Sequence, residues 1–198
     1  MKNLNILINE LNLLSSIGPK QAQRLAIEFV KNKEENLKKL DKISKLLNEI
    51  NFCNICKTFY ENDNCDNCEL KSELIYIVEN LNDYFKIKDS YKNQEFKIFN
   101  LNFNRKNDYL NNDYLNKVIL RLEKMLKSNS DILKISFLTP PSLESEIIIR
   151  VFQKELIKIF PTRKFLFSKI KLGVPKDLNI SYLNIETMKY VFDNQEDI

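Results

Sequence analysis

A multi-module α/β protein is predicted by three features of these 198 residues. Residues 1–50 carry apolar side chains at helical spacing. All four cysteines fall between positions 53 and 68. From residue 74 onward, short apolar runs alternate with helical patterns, as in a mainly parallel sheet covered by helices. The expected organisation is a helical segment 1–50, a cysteine-bearing segment 51–72, an α/β body 73–175 and a C-terminal segment 176–198.

Leu7, Leu11 and Leu14 start the helical region. Ala22, Leu25, Ala26, Phe29 and Val30 continue it, followed by Leu37, Leu40, Ile43, Leu47 and Ile50. Ile17-Gly18-Pro19 separates the first two helices. In the body, Leu74–Val78 is a continuous apolar run closed by Glu79, as expected for a buried strand. Phe96–Leu101, Leu133–Leu138 and Phe165–Phe167 are further strand candidates. Tyr114, Val118, Leu122 and Met125 mark one intervening helix, and Ile147, Ile148, Val151, Phe152 and Leu156 mark another.

Composition narrows the chemistry. The chain has no histidine, which excludes Ser-His-Asp and Cys-His catalysis and restricts metal ligands to cysteine and carboxylate. No apolar run approaches the ~18 residues of a membrane span. The opening residues lack the apolar stretch and cleavage site of a secretory signal, so the expected compartment is the cytoplasm. Net charge is +4. Residues 1–50 hold nine Lys/Arg against six Asp/Glu, and the run Lys31, Lys33, Lys38, Lys39, Lys42, Lys45 serves equally as a solvated helix face or a nucleic-acid footprint. With only two glycines in the chain, Gly18 and Gly173 are informative.

The cysteines form two Cys-x-x-Cys loops, Cys53–Cys56 and Cys65–Cys68, separated by eight residues. Each loop sets two thiolates on one side of a tight turn, and two loops complete a tetrahedral four-sulfur set. Disulfides are disfavoured in a cytosolic chain, and two paired motifs indicate four ligands more than one reactive thiol. One zinc ion per chain is expected. Four protein ligands leave no open position for water, so its role is structural.

The turn Leu14-Ser15-Ser16-Ile17-Gly18-Pro19-Lys20 also carries a chemical expectation. Gly18 permits a tight turn and Pro19 suits the first helical position. The helix that follows presents its N-terminus to solvent, where a phosphate is favoured, with Lys20 and Arg24 one turn apart. This is the logic of a helix-hairpin-helix, which grips DNA backbone without reading bases. An ordinary connection between two helices has the same form.

In this order, turn, cysteines and sheet resemble the RecR family through nearly the whole chain. The family opens on L-P-G-I-G-P-K-S-A-Q-R-L-A. Leu14, Ile17, Gly18, Pro19, Lys20, Ala22, Gln23, Arg24, Leu25 and Ala26 match it, while Ser15-Ser16 replace Pro-Gly and Gln21 replaces Ser. The cysteine spacing is the family's. Val78-Glu79 and Asp83 resemble its V-E-x-x-x-D, which opens a Toprim domain, an α/β unit shared with topoisomerases and bacterial primases. Thr139-Pro140-Pro141-Ser142-Leu143-Glu144-Ser145-Glu146 resembles T-N-P-T-x-E-G-E. Gly173–Tyr182 is a partial match to the late G-x-P-x-G-G-D-L-E-Y, without its paired glycines.

The resemblance implies a recombination mediator in DNA repair that does no covalent chemistry. Such proteins bind single- and double-stranded DNA without sequence preference. They act with RecO, and in some settings RecF, to load RecA onto single strands. A homo-oligomer, dimer or tetrameric ring, and nucleoid association are implied as well. On this basis Gly18, Lys20 and Arg24 form the DNA contact, and Glu79, Asp83 and Glu144 dock partners or simply stabilise strand ends. Toprim enzymes hold magnesium with a Glu and a later Asp-x-Asp. Pro140 and Ser142 occupy those later positions, which leaves Glu79, Glu144 and Glu146 for at most a weak site. A Toprim nuclease or primase-like enzyme, and a zinc-knuckle interaction protein without a DNA role, are the alternatives.

Overall fold

The computed structural model describes residues 1–90, 95–102, 111–126 and 132–170, and near the C-terminus 183–184, 187–188, 190–191 and 194–198. The late motif 173–182 lies outside the described residues. The chain divides into two compact units, Met1–Ile50 and Asn51–Ile198. Among the described residues the fold is mixed α/β, with seven helices, a five-stranded mostly parallel sheet and a four-cysteine cluster.

The first unit is three helices: α1 (Lys2–Leu13), α2 (Pro19–Lys31) and α3 (Lys33–Glu49). Leu4, Leu7, Ile8 and Leu11 are the half-buried positions of α1, the i, i+3, i+4, i+7 stripe of an amphipathic helix. Its neighbour α2 buries Ala22 and Ala26 completely. Two alanines one turn apart give a shallow face against which another helix can lie close. The Asn36 amide donates to the Glu28 carbonyl (3.3 Å) and ties the first turn of α3 to α2. Glu34 and Glu35 in that first turn suit the helix dipole. The expected core stripe of α3 is different from the prediction: Leu37, Leu40, Ile43, Leu47 and Ile50 are all exposed. Its periodicity made the helix legible, but periodicity does not say what covers the face.

The turn between α1 and α2 also departs from expectation. Gly18 has extended backbone (φ −76°, ψ 166°), so its conformation does not require glycine. The left-handed residue is Ser16, at φ 69°. Reversal of the chain therefore falls on a serine, in a region that costs a side-chain-bearing residue about 1–2 kcal/mol.

The second unit begins with a two-stranded antiparallel ribbon, β1 (Asn51–Phe52) and β2 (Phe59–Tyr60), and the short helix α4 (Asp66–Glu69). The body follows as β3 (Leu74–Val78), α5 (Leu81–Ser90), β4 (Lys97–Asn100), α6 (Asn112–Leu126), β5 (Ile132–Phe137), α7 (Leu143–Ile159), β6 (Lys164–Ile170) and β7 (Gln195–Asp197). Strand order is β4-β3-β5-β6-β7, parallel except for β6–β7. Side chains alternate across the pleat. Ile75, Ile77, Phe99, Ile135 and Phe137 join one core with residues of α6 and α7. Tyr76, Val78, Ile98 and Ile170 join a second core with Ile87 and Phe96.

Polar side chains act at both ends of the sheet. At one end, β7 has no apolar signal; instead the buried hydroxyls of Ser136 and Ser168 donate to Gln195 Oε1 at 2.7 and 2.8 Å. At the other, β4 turns its outward backbone groups toward the cysteine segment. The Asn67 amide donates to the Ile98 carbonyl and its oxygen accepts from the Ile98 N–H, both at 2.8 Å. The Asn100 N–H donates to the Cys56 carbonyl at 2.9 Å. A side-chain amide thus does the work of a neighbouring strand.

Candidate metal centre

The first Cys-x-x-Cys loop leaves β1 and returns as β2. Cys53 N–H donates to the Thr58 carbonyl at 2.9 Å, and Lys57 N–H to the Cys53 carbonyl at 3.0 Å. Closing so tight a loop puts Lys57 at φ 57°. The second loop is a helix start, with Cys65 as N-cap of α4 and the Cys68 N–H donating to the Cys65 carbonyl at 2.9 Å. Asn62 bonds the Asp66 carboxylate at 3.2 and 3.3 Å and steadies the spacer.

These two turns bring all four sulfurs within 4.8 Å of one another. The separations are 3.7 Å for Cys53–Cys68 and 3.5 Å for Cys56–Cys65, far longer than a disulfide. A tetrahedral thiolate site with metal–sulfur bonds near 2.3 Å has its sulfurs roughly 3.8 Å apart, so the cluster fits one metal ion. Ile55 N–H donates to Cys53 Sγ (3.4 Å), and Thr58 Oγ1 lies 3.0 Å from Cys56 Sγ. Such outer contacts fix the sulfur positions.

The thiols hydrogen-bond to one another. Hydrogen bonds from Cys65 and Cys68 draw the Cys56 thiol well below its ordinary range. Donation to Cys56 pushes Cys65 up to about 12 and also raises Cys68, with burial adding to both. With Cys56 drawn toward the thiolate and Cys65 and Cys68 held back from ionising, a bound cation is what lets the cluster shed its protons together.

Two cationic side chains stand around the cluster, and neither was recognised from sequence. Lys97, 0% exposed, donates from Nζ to the Cys68 carbonyl at 2.9 Å. Burial lowers its pKa, opposed by the charges of Cys68, Cys56 and Cys65. Arg121 reaches from α6 to the carbonyls of Ile55 (3.4 Å) and Leu101 (3.0 Å) and lies over the Phe99 ring. A four-thiolate centre with a divalent ion carries a net charge of −2, and fixed cations nearby reduce the cost of burying it. The signal was available: Lys97 is a charged residue within the strand candidate Phe96–Leu101.

Of the other expected site residues, Gly18, Lys20 and Arg24 belong to the first unit and Glu79, Asp83 and Glu144 to the second. Gly18, Lys20 and Arg24 are exposed at the start of α2, and a Cβ built on Gly18 meets nothing within 4 Å. Glu79, just after β3, is half-buried and accepts from Ser145 Oγ at 3.4 Å. Glu144 is half-buried in the first turn of α7. Asp83 must be withdrawn from the docking set, because it is 1% exposed in the first turn of α5 and offers no surface to a partner. Glu146 is bound by Lys169, which also pairs with Glu196. Among the described residues, the cysteine cluster is the group that could hold a metal; Glu79, Glu144 and Glu146 do not converge as a second. A cleft of about 310 Å³ opens beside them, lined by Pro140, Pro141, Ser142 and Lys169 among others. No helix among the described residues is long and apolar enough to cross a membrane.

Burial raises the pKa of Glu79, and the Glu144 charge adds to this against the Ser145 hydrogen bond. The folded chain therefore holds this proton in a pH window where the unfolded chain has released it. Stability from this group falls as pH rises from the ordinary carboxylate range through the elevated folded value. Glu79→Gln is expected to raise the urea midpoint at pH 7 while leaving it nearly unchanged at pH 4. An equal effect at both pH values would assign the change to packing.

No protein-family model matches this chain, and no curated protein matches it.

Proposed function

We propose that this chain is a RecR-type recombination mediator: a zinc-stapled, non-enzymatic DNA-binding protein acting with a RecO-like partner. The observation that carries the reading is Gly18. Its backbone is extended, its surroundings are open and it is exposed, so neither backbone strain nor close packing calls for glycine there. It is one of two glycines in the chain, at the N-cap of a helix whose first turn contains no acid. A ligand that must approach the backbone closely does have use for it, and a phosphate is the group that free helix N-terminal amides favour. Lys20 and Arg24 supply the charge.

Zinc is the ion that best suits four thiolates in a closed tetrahedral site, since soft sulfur selects against magnesium and calcium. Cys53, Cys56, Cys65 and Cys68 would hold it, and the ion would supply folding energy. Glu79 and Glu144 are retained as partner-facing acids near the cleft. Enzyme chemistry of the Toprim kind is disfavoured by Pro140 and Ser142 and by the engagement of Glu146 with Lys169.

The test is Gly18→Ala. Glycine caps a helix better than alanine, so the melting temperature is expected to stay or to fall slightly, with the fold retained. DNA binding, measured by anisotropy, is expected to fall severalfold as the methyl group holds phosphate away. Unchanged DNA binding would sink the hairpin reading. Magnesium-dependent cleavage abolished by Glu79→Gln would replace mediator with enzyme.

A further inference from the structure

The cysteine segment does more than present sulfur. Phe52 and Phe59 are register partners across the β1–β2 ribbon, with ring centroids 5.6 Å apart. Phe85, on α5, stacks against Phe59 at 5.9 Å with the planes 26° apart. The three rings form a continuous row, yet they remain 40%, 36% and 53% exposed. Rings recruited only to fill a core would be covered.

A cation stands at one end of the row. Lys57 Nζ lies 5.5 Å from the Phe52 centroid and is oriented by a 3.2 Å hydrogen bond to Asn54 Oδ1. Lys57 is also the residue held in the left-handed region, at φ 57°. Glycine takes that conformation freely, and asparagine takes it more readily than lysine does. A lysine in this position brings a charge to the edge of the aromatic row, which glycine could not do.

Aromatic faces beside a cation match one ligand chemistry closely: flat bases strung on phosphates. In a duplex the base faces are hidden in the stack, whereas a single strand offers them. An apolar peptide would gain little from the lysine, and an anionic surface would gain little from three rings. We infer that Phe52, Phe59 and Phe85, with Lys57, form a stacking platform for single-stranded nucleic acid, separate from the phosphate-gripping hairpin. The inference rests on the DNA-binding reading and adds to it a means of sensing strandedness.

The experiment compares a labelled oligothymidylate with an abasic strand of the same length, both titrated with the full chain. Phe85→Ala should weaken oligothymidylate binding on the order of five- to hundredfold and leave the abasic strand unaffected. Phe85→Trp should restore binding and Phe85→Leu should not. Phe52→Ala provides a second variant on a different element, and thermal melts check that each protein is folded. Full affinity in Phe85→Leu would show a merely apolar surface and overturn the platform. Equal losses on both strands would overturn it too. If the parent chain binds both strands alike and only Lys20 and Arg24 matter, the platform fails while the hairpin stands. If it binds neither strand, both fail.

Discussion

Cys53→Ser is expected to remove the metal and unfold much of the second unit before any specific activity can be assayed. Four thiolates at an isolated zinc finger supply roughly 10–16 kcal/mol of binding free energy at neutral pH, much of which appears as folding energy. Here the ligand turns are also held by the sheet, so only part of that is at stake. A loss of several kcal/mol is still comparable with the whole stability of an ordinary domain, about 5–15 kcal/mol. Elemental analysis should give one zinc per chain for the parent and a marked deficit for the variant. Thermal melts should show the parent falling toward the variant when a strong chelator is added. Metal affinity should weaken on acidification, because bound thiolates hold no protons and free thiols do. A parent protein without zinc, or a variant with unchanged melting, would remove the metal centre from the account.

The second large effect is expected at the hairpin. Lys20→Ala with Arg24→Ala should weaken binding to unrelated DNA sequences about equally, because phosphate contacts carry no base information. Each lost contact should flatten the dependence of log K on log salt by about 0.7–0.9 units, so the double variant loses up to ~2. The fold should survive, since both side chains are exposed. The informative control is Lys39→Ala. Lys39 is already paired with Glu35 at 2.5 Å and Lys45 with Asp41 at 2.8 Å, so the basic run on α3 is partly neutralised by its own helix. A Lys39 effect as large as the double variant's would move the DNA site onto α3.

These outcomes trace back to what was legible in the residues. The cysteine cluster was readable because each ligand pair is a local turn, so sequence spacing translates directly into geometry. Strand β3 was readable because burial on both faces leaves a continuous apolar run, and β5 because Leu133, Ile135 and Phe137 alternate with Lys134 and Ser136. Strand β7 was not, since Gln195, Glu196 and Asp197 carry no apolar pattern, and Gln195 is held by hydroxyls from strands far away in sequence. Helix α5 was missed too; Leu81-Asn82-Asp83-Tyr84-Phe85 begins on an Asn80 cap that bonds the N–H groups of Asn82 and Asp83. The left-handed strain sits on Ser16 and not on Gly18, which is invisible to reasoning from residue type alone. Asp83 was expected to dock a partner or to stabilise a strand end, and it is interior. Lys97 and Arg121 are long-range partners of the cysteine turns, contributed by β4 and α6.

The pairing of Asn67 with Ile98, and of Cys56 with Asn100, has a consequence for the fate of the chain. Exposed edge strands are templates for other chains, and proteins blunt them with charge, proline or a cover. Strand β4 reads Lys97-Ile98-Phe99-Asn100, and its one charge is buried and engaged with the Cys68 carbonyl, so its own sequence gives the edge little protection. The cover is the cysteine segment, and the position of that cover depends on two turns converging on four sulfurs. Oxidation of a single thiol would therefore do more than loosen a small loop. It would free an apolar strand edge to recruit a second copy, making self-association, and not simple inactivity, the first sign of damage.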